Sequence, residues 1–65
     1  MIAYGYVKWF DAAKGYGFIA TTMGDVFVHI DQIACKAVPS LGQRVSFSLS
    51  SGRRGLSATS VKFER

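Results

Sequence analysis

The amino-acid sequence predicts an all-β chain: five antiparallel strands closed into a small barrel with one short helical turn. Three observations carry that expectation. Apolar residues recur mostly at every second position, the spacing of a half-buried strand and not of a helix. Turn-forming residues return roughly every eight to twelve positions, as they do in small sandwiches and barrels. Only the stretch from Asp31 to Lys36 has helical character, and Pro39 stops it from growing.

The first strand is expected over Ile2 to Phe10, ended by Asp11-Ala12-Ala13-Lys14-Gly15, where Asp11 can bond nearby backbone and Gly15 can supply a positive φ. Tyr16 to Thr21 and Asp25 to Ile30 are rich in aromatic and β-branched residues and are joined by turn chemistry at Thr22-Met23-Gly24-Asp25, so they read as a hairpin. Asp31 is the expected cap of the single helical turn. Arg44 to Ser50 alternates without a fault, placing Val45, Phe47 and Leu49 on one face and serines on the other. Ser51-Gly52-Arg53-Arg54-Gly55 closes this strand and opens a last one from Leu56 to Phe63. A five-stranded OB-type barrel fits that count and removes the exposed edges an open sheet would leave.

A chain of 65 residues makes one domain, spanning 1–65, and excludes a large two-lobed enzyme. One Cys and one His cannot form an internal disulfide or fill a four-ligand structural zinc site, so no metal or other cofactor is expected. There is no apolar run long enough for a membrane helix and no secretory leader pattern at Met1, so the expected setting is cytoplasmic, without membrane contact. Cys35 is then expected to be a reduced, partly buried residue. No arrangement of nucleophile, base and acid, no paired carboxylates and no phosphate-cradling loop of P-loop form is present. The chain reads as a binding module without a small-molecule substrate. Its formal net charge of +4 favours a polyanionic partner.

Alternation has a functional consequence. If Ile19 faces the core, Tyr16 and Phe18 face away from it. If Val26 and Val28 face the core, Phe27 and His29 face away from it as well. Two neighbouring strands then present a patch of rings to water, and a ring can stack on any unpaired base. Lys8, Lys14, Arg53 and Arg54, at or near strand ends, would contact the phosphates between such bases. Gly17 removes a side chain from the core face between Tyr16 and Phe18, which lets the strand lie close over the barrel. The plainer reading of Phe18 and Phe27 is that they fill the core, but Ile19, Val26 and Val28 already claim those positions.

Lys8-Trp9-Phe10-Asp11, then Lys14-Gly15-Tyr16-Gly17-Phe18-Ile19, then Asp25-Val26-Phe27-Val28-His29-Ile30, in this order and spacing, resemble the cold-shock domain family of bacterial cold-shock proteins. Gly42 to Phe47 and Gly55 to Val61 are similar to the family's later strands, so the likeness covers essentially the whole chain. The resemblance implies a barrel that binds single-stranded RNA and DNA with low sequence specificity, melts weak RNA structure as an RNA chaperone, and regulates transcription or translation in the cold-shock response. It places the contact residues at Lys8, Trp9, Phe10, Asp11, Lys14, Tyr16, Phe18, Asp25, Phe27, His29 and Arg54. Strict alternation from Val7 would send Trp9 inward and Lys8 and Phe10 outward, whereas the resemblance puts both Trp9 and Phe10 at the binding surface; a bulge in the first strand reconciles the two readings.

The chain departs from the family pattern at three positions. Asp11 stands where Asn is common and sets a negative charge near phosphates. Ile30 and Val38 stand where aromatics are common, so fewer rings are offered to bases. A monomer is expected, with a strand-exchanged dimer as the alternative. Competing functions are an RRM, disfavoured by the missing pair of long helices; an SH3-like barrel for proline-rich peptides, disfavoured by basic loops; and a structural dimer that hides its rings.

Overall fold

The computed structural model describes residues 2–52 and 55–64; Arg53 and Arg54, expected to contact phosphate, lie outside the described residues. Five strands, β1 (Ile2–Asp11), β2 (Tyr16–Thr21), β3 (Gly24–His29), β4 (Arg44–Gly52) and β5 (Gly55–Phe63), close into a barrel in the order β1-β2-β3-β5-β4. The β1–β2, β1–β4, β2–β3 and β4–β5 seams are antiparallel. A short parallel pairing of Phe27 with Ser57 joins β3 to β5 and completes the closure.

The alternation read from the sequence sorts inside from outside. Val7, Ile19, Val26, Val28, Val45 and Phe47 are buried in one core with Ile33, Ala58 and Val61, and Leu49 packs against it half-buried. Two bulges break the alternation. Val7 pairs with Ile19 and Trp9 with Phe18, so Lys8 is an extra residue on β1. On β5, Ser60 adopts φ 52° where Lys62 to Thr59 spans one residue more than Ser46 to Ser48 opposite.

The helical turn is a single 3₁₀ turn at Ile30–Gln32, earlier than expected, and its cap is His29 in place of Asp31. The imidazole Nδ1 of His29 accepts the Asp31 N–H at 3.1 Å, a bond that β3's final residue is placed to make and Asp31's own carboxylate is not. Ile33 then bridges to Val61 and seals the barrel end. Cys35, expected to be partly buried, is exposed, because the chain leaves the barrel after Ile33 as an irregular segment.

Candidate nucleic-acid interface

The bulge at Lys8 builds the site. By resetting the pleat it turns Trp9 to the outer face beside Phe18, and sends Phe10 inward, where it is half-buried and packs against the core. Phe10 therefore lies across β1 from the rings, and the expectation, shared by alternation and the resemblance, that it faces the binding surface is corrected by the extra residue. Gly17 makes the local packing feasible. A Cβ there would strike the Trp9 carbonyl oxygen and come within 2.7 Å of the Phe10 Cα.

Four rings meet on the outer face of β1, β2 and β3 in a closed circuit. Trp9 lies 5.6 Å from Tyr16 and 6.2 Å from Phe18, Tyr16 lies 5.7 Å from Phe27, and Phe18 lies 6.0 Å from Phe27, centroid to centroid. These are ordinary aromatic contact distances, so each ring braces its neighbours while one side stays open to solvent. Trp9 is 43% and Phe27 38% exposed, too much for core residues.

Polar groups ring this platform. Lys8 Nζ pairs with Asp25 Oδ2 at 2.9 Å, an exposed bridge joining the bulge to the start of β3. His29 pairs with Tyr16 across the β2–β3 ladder, and its Nδ1 stands 3.6 Å from an Asp31 carboxylate oxygen. Lys14 is exposed in the β1–β2 turn, next to Gly15, whose φ of +75° closes the turn. Ile30 is packed against the core, with its N–H donating to the Gly15 carbonyl at 2.8 Å.

Asp11 has a structural duty. Its Oδ1 accepts the N–H groups of Ala13 and Lys14 at 3.0 and 3.1 Å, fixing the turn that carries Lys14. An asparagine could accept the same bonds without the charge. Asp11→Asn is expected to retain stability and to tighten oligonucleotide binding about threefold at low salt, from roughly 0.7 kcal/mol between unit charges about 6 Å apart in water. The gain should fade as salt rises. Titrations of both proteins at two ionic strengths check this; unchanged affinity at low salt would remove the charge argument.

Beside Phe18 and Phe27 runs an open groove of about 470 Å³, walled by Ser50, Ser51, Leu56 and Ser57 from the β4–β5 hairpin. Sequence reasoning missed this wall. It is created by the parallel Phe27–Ser57 seam, for which alternation within a single strand gives no signal. Among the described residues, no cluster of His, Cys, Asp and Glu could hold a metal ion, and no helix is long and apolar enough to cross a membrane.

A small closed barrel with an outward plate of aromatic rings edged by basic groups defines a class, the nucleic-acid-binding β-barrels. Comparison with known proteins makes it specific. The family model for the 'Cold-shock' DNA-binding domain matches residues 3–63. Cold shock-like protein CspB of Yersinia pestis is 49% identical over 61 residues, covering 88% of this chain and 87% of the relative. Cold shock protein CspC of Bacillus subtilis is likewise 49% identical over 61 residues, covering 89% and 92%. The chain belongs to the cold-shock domain family, a family of nucleic-acid-binding domains. The solved structure of drosophila Unr CSD456 has the same fold, with a TM-score of 0.80 at 16% identity; all of this chain is covered, but only 27% of that one.

Proposed function

We propose that this chain binds single-stranded RNA and DNA with little sequence preference, stacking bases on Trp9, Tyr16, Phe18 and Phe27 and meeting phosphates with Lys8 and Lys14. The observation that carries this reading is the closed circuit of four outward rings. Bases in a duplex are already stacked and cannot reach such a plate, whereas unpaired bases can, each gaining roughly 1–3 kcal/mol. Preferential binding to unpaired bases draws the equilibrium away from hairpins without ATP, which is the action of an RNA chaperone. The protein acts in this way as a cytoplasmic monomer, and regulation of transcription or translation follows where a melted hairpin controls either.

Quenching of Trp9 fluorescence by oligothymidylate, against a duplex of equal length, tests the proposal. Contact with about three phosphates of a single strand gives a log–log salt slope near −2, from about −0.7 per phosphate. Strong preference for the single strand with that slope is the expected result. Equal competition by paired and unpaired strands, or binding that ignores salt, would overturn it.

A further inference from the structure

The outward row of β1 continues past the bulge. Tyr4 and Tyr6 stand on its solvent face, 56% and 54% exposed, while Ala3, Gly5 and Val7 turn inward. The strand registers place Tyr6 between Ala20 of β2 and Arg44 of β4, and Ala20 opposite Asp25 of β3. Asp25 is the carboxylate that holds Lys8, so the row containing Tyr6 begins where the four-ring plate ends. The Arg44 guanidinium carbon lies 5.9 Å from the centroid of the Tyr4 ring. One strand further, Ser46 aligns Tyr4 with the exposed Lys62.

The face has the same ingredients as the plate it adjoins, rings with open sides and cations beside them. Tyr6 has Ala20 and Arg44 as its cross-strand neighbours and Tyr4 has Ser46, and more than half of each tyrosine remains open to solvent. The Glu64 carboxylate on this side accepts a hydrogen bond from Ser46 Oγ at 2.7 Å. Asp25, at the junction, is neutralised by Lys8. At the junction a polyanion meets an exposed ion pair whose Lys8 ammonium keeps further N–H groups for phosphate while it holds Asp25. Two copies docked through this face would instead bring Arg44 and Lys62 of one toward those of the other.

We propose that Tyr6 and Tyr4, with Arg44, form a second stretch of the single-strand track, holding bases beyond those on the four-ring plate. This rests on the single-strand binding proposed above and lengthens its site. Residues two apart on a strand are attached about 6.6 Å apart, from a rise of ~3.3 Å per residue. Stacked nucleotides repeat about every 3.4 Å along one strand. The tyrosines thus stand about two base steps apart, and a ring that takes the face of a base replaces that base's neighbour in the stack, so the second stretch selects unpaired strands as the first does.

The test compares the wild-type chain with Tyr4→Thr/Tyr6→Thr, which keeps strand propensity, and with Tyr6→Phe, which keeps the ring. Labelled oligothymidylates of about four and about ten nucleotides, within the range one such barrel covers, report affinity by anisotropy. The double threonine variant should lose about tenfold or more in affinity for the long strand and less than about twofold for the short one. Tyr6→Phe should bind both as wild type does. Equal affinity of wild type and the double variant for the long strand overturns the inference, and so does an equal loss for short and long strands. A wild-type dimer in sedimentation that the double variant abolishes would give the face to a second copy and also overturn it. Failure of the wild-type chain to bind either strand would instead sink the function proposed above, which separates the two outcomes.

Discussion

Replacing Phe18 and Phe27 together by alanine is expected to weaken binding to oligothymidylate by about thirtyfold or more, with the salt slope unchanged. The two rings are cross-strand partners on β2 and β3, 6.0 Å apart, and together they form one wall of the groove against the β4–β5 hairpin. At roughly 1–3 kcal/mol per stacked base, two lost platforms amount to about 2–6 kcal/mol. Every 1.4 kcal/mol is about tenfold in affinity, so even the lower half of this range is easily read. The slope should hold near its wild-type value because Lys8 and Lys14 remain and the slope counts phosphates, not bases. Anisotropy across a salt series, with circular dichroism to show that the variant is folded, separates the contributions. A loss below about threefold, or a flattened slope at full affinity, would contradict the division of labour between rings and cations.

That division was legible in the sequence because it depends on alternation within single strands. Ile19, Val26 and Val28 fix the inside of the hairpin, so Tyr16, Phe18 and Phe27 must lie outside whatever the rest of the chain does. Trp9 and Phe10 were harder. Their facing depends on one extra residue, Lys8, and a bulge is a property of two strands in register, which a single strand's pattern cannot reveal. The resemblance pointed to the bulge, yet it did not show that Phe10 would pay for Trp9's exposure by turning inward. The parallel β3–β5 seam is more remote still: it pairs residues about thirty positions apart, and with it came the serine-lined wall. The helical turn was misplaced for a local reason. Asp31 is a common capping residue, but the geometry at the end of β3 put the His29 ring over the Asp31 N–H first.

Gly17→Ala is expected to be the most damaging glycine-to-alanine change among the described residues. The new Cβ would overlap the Trp9 carbonyl oxygen and sit 2.7 Å from both Phe10 Cα and Phe10 Cδ2. The first two are backbone, held in the β1–β2 ladder at the Trp9–Phe18 and Phe10–Gly17 pairs, so neither can swing aside as a flexible side chain would. Overpacking of this kind costs about 3 kcal/mol or more. In a domain of this size each kcal/mol moves the melting temperature by about 4–8 °C, so Tm should fall by about 12–24 °C. Gly52→Ala is the control, since its Cβ meets no atom within 4 Å, and its Tm should stay within about 3 °C of wild type. A Gly17→Ala protein melting within about 5 °C of wild type would show that the strands can part cheaply. Binding should fall with stability, and for a specific reason. The contact that brings Gly17 against Phe10 also sets how far Trp9 stands from Phe18, so forcing β2 away from β1 opens the ring circuit at the joint the bulge created. At low temperature, where the variant is still folded, its affinity for single strands should remain below wild type; full affinity there would mean that the plate tolerates a gap between its strands.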